Sequence, residues 1–241
     1  MNEGTCMASS IYEDGKYLRN NQTWHAEDSP WKAKQICEMI VRNSLNPRSV
    51  AEIGCGAGGI LRSLHDMECF KDTEFFGYDI SPQAIELAER NRAQGLSFFN
   101  KDFLQDDSVE IADVLLLIDV FEHVEDYMGF LRRSRGKGVY KIFHIPLDIH
   151  VSSVVRNAFI DTRYSVGHLH YFTADSALAA LKDAGYELVD VRYTDPALSL
   201  FRQHPSVKKA IANVPRWIIS RFSVPLAARL LGGYSLLVLA Q

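Results

Sequence analysis

Apolar positions along the chain change period repeatedly, and each change marks an element. Residues 50–59, Val-Ala-Glu-Ile-Gly-Cys-Gly-Ala-Gly-Gly, are a short apolar run ending in glycines, as expected of a strand entering a tight turn. Ile60, Leu61, Leu64 and Met67 then recur at helical spacing. Further strands are predicted at 74–80, 96–99, 112–120, 139–145, 186–193 and 234–240, with helices at 82–92, 126–135 and 174–184 between them. The run 112–120 is the most apolar in the chain, the mark of a central strand buried on both faces. Upstream, 29–43 reads as a helix with Ser29 as N-cap, Pro30 in the first turn and Ile36, Ile40 and Val41 on one face. The order βαβαβ-βαβαββ predicts an α/β fold: a doubly wound seven-stranded sheet, parallel except for an antiparallel last strand, with helices on both faces.

This pattern divides the chain into an N-terminal flap and helix, 1–47, and one domain, 48–241, with a helical insertion at 196–232 before the last strand. The flap is rich in aromatic residues, Tyr12, Tyr17, Trp24 and Trp31, with His25 and Lys32 among them. It either packs on the sheet edge with Trp31 in the core, or closes over a ligand with Trp24, His25 and Lys32 reaching the site. The insertion carries Arg202, Lys208, Lys209, Arg216, Arg221 and Arg229 interleaved with Trp217, Ile218, Ile219, Phe222 and Leu226, and no acidic residue follows Asp195. Such basic amphipathic helices serve as a lid with solvated charges, or as a surface for an anionic acceptor or membrane headgroups.

Composition narrows the picture only slightly. A net charge of -4 over 241 residues gives no reason to expect a nucleic-acid partner. Cys6, Cys37, Cys55 and Cys69 form no C-x-x-C pair, which fits free thiols in a reducing cytoplasm. The first residues lack a signal-peptide pattern, and no apolar run approaches the ~20 residues that span a bilayer.

The chemistry concentrates in the glycine turn. Gly54, Gly56 and Gly58 allow a sharp turn and bare main chain against a ligand, ahead of helix amides that lack partners of their own. Gly54, Gly56 and Gly59 also fit the dinucleotide fingerprint, and Asp79 closes the next strand at the distance expected of a ribose-binding carboxylate. These features alone suit either a nicotinamide dinucleotide or an adenosine ligand.

Five motifs in order resolve that choice by resemblance: Glu52-x-Gly54-x-Gly56-x-Gly58, Asp79, Asn100-Lys101-Asp102-Phe103, Asp119-x-x-Glu122-His123-Val124, and Gly167-His168-Leu169-His170-Tyr171-Phe172-Thr173. With them the chain resembles the class I S-adenosylmethionine-dependent methyltransferases, over about 48–195 and again at the final strand. The resemblance implies S-adenosyl-L-methionine as cofactor and S-adenosyl-L-homocysteine as product. It implies contacts from Glu52, Gly54, Cys55, Gly56, Gly58, Asp79, Ile80, Asp102, Phe103 and Asp119, joined by Trp24 and His25 if the flap closes. Asp79 would take both ribose hydroxyls and Asp102 the adenine amino group, pairings that suit carboxylate acceptors.

Methyl transfer is an in-line displacement that needs alignment and dryness more than covalent machinery. A hydroxyl acceptor adds the need for a base, for which His123, His168 and His170 are the candidates, with His144 and His150 behind them. No compact ligand spacing among the histidines predicts a metal site. The expected partner is a small or medium organic acceptor, neutral or anionic, methylated at oxygen. A lipid- or quinone-like acceptor is the alternative, and a noncatalytic cofactor-binding protein or an NAD-dependent oxidoreductase is the alternative of another class.

Overall fold

The computed structural model describes residues 26–105, 110–197, 199 and 207–241. Its strands are β1 Ser49–Ile53, β2 Glu74–Asp79, β3 Leu96–Asn100, β4 Ala112–Ile118, β5 Gly138–Pro146, β6 Leu188–Thr194 and β7 Ser235–Ala240. They form a seven-stranded sheet in the order β3-β2-β1-β4-β5-β7-β6. All neighbours are parallel except that β7 runs antiparallel to both β5 and β6. The doubly wound sheet and its reversed last strand are as the sequence pattern predicts.

The helices are α1 Ser29–Arg42, α2 Gly59–His65, α3 Pro82–Ala88, α4 Tyr127–Ser134, α5 Val151–Val155, α6 Phe159–Val166, α7 Ala174–Asp183, α8 Val207–Phe222 and α9 Val224–Leu231. Because β4 is covered on both sides, its successive residues Val114 and Leu116 join one core and Leu115 and Leu117 the other. The first core takes Ala33, Ile36, Met39 and Ile40 of α1 with Leu61 and Leu64 of α2. The second takes Phe130 and Leu131 of α4, Ala177 and Leu181 of α7 and Ala227 of α9. Burial of each such branched or aromatic side chain stabilises the fold by about 1.5–3 kcal/mol, so the two layers pin the sheet between them.

Start signals act where hydrogen bonds can form. Ser81 accepts from the Ala84 N–H to open α3, and Thr173 and Ser176 make a reciprocal capping box at α7. Two expectations shift. Asp28, not Ser29, precedes the first helix, with Ser29 already inside it. The connection 146–171, for which the sequence pattern predicts no element, contains α5 and α6. The first is opened by a box between His150 and Ser153, and the second is closed by Gly167 at φ 84°. The insertion contains the expected amphipathic pair, α8 and α9. No helix among the described residues is long and apolar enough to cross a membrane.

Candidate active site

Strand order reverses between β1 and β4, and in such sheets the crevice beyond the C-terminal strand ends is where ligands sit. A cavity of about 710 Å³ opens there, walled by the glycine turn, Asp79 and Ile80, Lys32, Asp119, His123 and His168 among others. It is large enough for a nucleoside-sized ligand together with a second small molecule.

The glycine turn is built for a ligand to lie close. Gly54, Gly56 and Gly58 have φ of 71°, 52° and 75°, a region that residues with a Cβ rarely adopt. A Cβ on Gly58 would stand 2.5 Å from the Phe98 ring, so space as well as conformation demands glycine. The carboxylate of Asp79 holds the turn: Oδ2 accepts from Gly56 N–H at 2.9 Å and Oδ1 from Ser81 N–H at 2.8 Å. Each oxygen keeps a second lone pair for a ligand. Burial raises the Asp79 pKa, and the backbone N–H groups that it accepts from oppose the shift. Ile80 is 65% exposed on the cavity wall, a flat apolar surface left for a partner.

Glu52 lies at the floor in β1, fully buried, and its Oε2 has no hydrogen-bond partner. Burial pushes its pKa well up; Lys32 opposes this, while Asp79 and Asp119 add to it. A buried carboxylate oxygen without a partner beside a ligand crevice is suited to a cationic group on that ligand.

Lys32 on α1 reaches the cavity and places Nζ 2.8 Å from Asp119 Oδ2. On its other side, Asp119 Oδ1 accepts from His144 Nδ1 at 2.6 Å. His144 Nε2 in turn meets Thr194 Oγ1 at 3.0 Å, and that hydroxyl donates to the Ser235 carbonyl. Burial alone would raise the Asp119 carboxyl, but His144 and Lys32 more than offset it and hold it well below the usual carboxylate range. The Trp31 ring stands edge-on to His144, with centroids 6.1 Å apart. So α1 both packs on the sheet and contributes to the site.

At the far end of the cavity, the 167–170 segment lies beside the 121–123 turn, because Leu169 and His170 donate N–H to the Glu122 carbonyl. His123 Nδ1 donates to Gly167 O at 3.1 Å, and His168 Nδ1 donates to Asp148 Oδ2 at 2.6 Å. In neutral tautomers both rings then carry their lone pair on Nε2. Their planes meet edge-on, with centroids 4.9 Å apart. Burial, reinforced by His168, lowers the His123 pKa to about 4. Glu122, just behind, is 0% exposed, and neither carboxylate oxygen has a hydrogen-bond partner.

Several sequence candidates stand elsewhere. His170 points its Nε2 at the carbonyls of Val124 and Glu125 and packs on Tyr127, so it braces the turn and lies off the cavity wall. The Asp102 carboxylate accepts from Leu104 N–H and Gln105 Nε2, and Phe103 is buried against Tyr78; neither faces the cavity. Arg156 and Arg163 are exposed and off the wall, whereas Glu52, Asp79, Asp119 and Asp148 line it. Trp24 and His25 lie outside the described residues. Sequence reasoning missed the pairings of His144 with Asp119 and of His168 with Asp148. The available signal was a histidine set inside an otherwise apolar strand, 142–145.

Against this geometry, a family model described as a methyltransferase domain matches residues 24–191. The chain belongs to that family, the class I S-adenosylmethionine-dependent methyltransferases. Comparison with curated proteins gives no match. Among solved structures it is similar to the N-methyltransferase NodS from Bradyrhizobium japonicum in complex with S-adenosyl-L-homocysteine, at 17% identity over 96% of this chain and 97% of that one, TM-score 0.60. It is also similar to magnesium protoporphyrin IX methyltransferase from Synechocystis with bound S-adenosylmethionine, at 14% identity over 100% and 99% of the two chains, TM-score 0.60. At such identities the likeness shows the fold.

Proposed function

We propose that the enzyme methylates a neutral, hydroxylated organic acceptor of small or medium size at oxygen. The observation that carries this reading is the pair His123 and His168 at the end of the cavity away from Asp79, each with Nδ1 anchored and Nε2 as the acceptor position. S-adenosyl-L-methionine, when bound, supplies the electrophilic methyl group. The residues fit it: the glycine turn leaves bare backbone, Asp79 offers lone pairs to two ribose hydroxyls, Ile80 offers an apolar face, and the unpartnered Oε2 of Glu52 suits the methionyl ammonium. The acceptor hydroxyl gives up its proton at the His123 and His168 pair, while Val124, Pro146 and Val166 narrow and dry the same end of the cavity. Lys32 is paired with Asp119, Asp148 accepts from His168 and no arginine among the described residues lines the cavity, so an anionic acceptor would find no free counter-charge there, which is why a neutral acceptor is assigned.

The test is a turnover screen of phenols, sugars and hydroxy acids against matched amines, with S-adenosyl-L-homocysteine release as readout. Methylation of hydroxylated compounds supports the reading, and turnover confined to amines overturns it.

A second reading, an amphipathic or lipid-linked acceptor, is favoured by α8. Val214, Trp217, Ile218 and Phe222 recur at helical spacing on one exposed face, with Phe222 85% exposed and the basic Arg221 beside it. An interfacial helix has this composition. Co-sedimentation with anionic vesicles, lost on Trp217→Ser with Phe222→Ser, would support it; equal recovery in the supernatant with and without vesicles would remove it.

A further inference from the structure

Glu122, His123 and His168 come from two segments separated in sequence, yet each offers one ligating atom and the three atoms lie within 4.8 Å of one another. We propose that they form a binding site for one divalent transition-metal cation at the acceptor end of the cavity. A four-coordinate cation with bonds of ~2.1 Å holds its ligand atoms about 3.4 Å apart, so a contraction of at most about 1.4 Å completes the site. The backbone hydrogen bonds from Leu169 and His170 to the Glu122 carbonyl hold the two segments together without the ion.

Three independent features favour a cation over a merely packed cluster. The Glu122 carboxylate is wholly buried with both oxygens unpartnered, a costly state that a positive charge relieves. Both imidazoles donate Nδ1–H to an oxygen, Gly167 O for His123 and Asp148 Oδ2 for His168. This is the outer arrangement that fixes a ligating histidine with Nε2 toward a metal, the Asp148 carboxylate adding basicity. Finally, His123 and His168 also line the cavity, so a cation held by three protein ligands keeps an open position on the side where an acceptor enters. Two imidazoles with one carboxylate suit zinc, cobalt, iron or manganese better than calcium or magnesium.

The role of the cation rests on the reading of this end as the acceptor chamber, and it replaces direct proton uptake by the histidine pair, since both Nε2 lone pairs would then be on the ion. An acceptor hydroxyl entering the open position would ionise more readily, its proton passing to water. Binding itself does not depend on that role.

The experiment uses the full chain, stripped with chelator and free of cofactor and acceptor, titrated calorimetrically with Zn²⁺ and spectroscopically with Co²⁺. One equivalent should bind, with visible-region Co²⁺ bands indicating nitrogen ligation. Glu122→Gln and His168→Ala should each weaken Zn²⁺ at least tenfold, while His170→Ala, which alters a neighbouring ring off the wall, should not. Absence of a saturable equivalent, or affinities unmoved by His168→Ala, would overturn the site; if Glu122→Gln does not fold, His168→Ala decides alone. S-adenosyl-L-homocysteine affinity on the same samples separates the two claims. Cofactor binding without metal removes only the metal site, and metal binding without cofactor affinity removes only the cofactor reading.

Discussion

The ammonium of Lys32 lies 2.8 Å from the carboxylate of Asp119, joining the first helix to the end of the central strand inside the cavity. Asp119 itself sits at φ 52°, an unusual backbone for a residue other than glycine, so the contact holds a turn as well as a charge. Because the folded Asp119 pKa is depressed, its contribution to stability is present above the unfolded value of about 4 and is lost as pH falls below it. The Lys32 pKa is raised: burial lowers it, and Asp119 more than compensates. Its contribution is therefore present below the unfolded value of about 10.4 and lost as pH rises through the folded one. Urea unfolding across pH should show Asp119→Asn narrowing its deficit against wild type only below about pH 4, and Lys32→Met narrowing its deficit only above about pH 10. A deficit constant with pH in both variants would remove the electrostatic account.

Replacement of Asp79 tests the cofactor assignment. Asp79→Ala should weaken S-adenosyl-L-homocysteine by about 2–4 kcal/mol, since it deletes charge-assisted acceptors and frees the Gly56 N–H from its anchor. Calorimetry on a folded variant reads this directly, and unchanged affinity would refute the assignment.

Gly58 tests the turn. Gly58→Ala forces a Cβ into a left-handed conformation and onto the Phe98 ring at 2.5 Å, and should destabilise the protein by about 2–4 kcal/mol. The midpoint of chemical denaturation should fall accordingly; a midpoint matching wild type would mean that the turn relaxes freely.

His168 and His170 separate chemistry from bracing. His168→Ala should lower kcat by about 10²–10⁴-fold with cofactor affinity retained. His170→Ala loses only contacts to the Val124 and Glu125 carbonyls and to Tyr127, and should act mainly on thermal stability. Comparable kcat losses in both variants would contradict the division of roles.

The strands were legible because a strand covered on both faces must be apolar at every position, as Val114–Leu117 are. The turn was legible because positive φ leaves few residue types other than glycine. Helices α5 and α6 were not. The first is five residues long, and the second has no buried residue and so no periodicity to read. Nor were the contacts of the site. His144 stands 25 residues from Asp119 and His168 20 from Asp148, and only the register of the sheet and the path of the following loops bring them together. Asp102 shows the converse: a motif residue whose local turn claims its carboxylate, which no spacing reveals.

The position of β7 sets the order in which the molecule can assemble. β6 touches the sheet through β7 alone, yet β7 follows it in the chain, beyond α8 and α9. The segment Leu188–Thr194 therefore has no ladder to join until Ser235–Ala240 has slotted in beside β5, a long-range closure that folds slowly. Thr194 pairs with Ser235, and Ser235 with Pro146, so the same closure completes the hydrogen-bond chain behind His144. A chain without β7 in place would therefore have neither a ladder for β6 nor the Thr194 and Ser235 end of the hydrogen-bond chain that backs the pocket.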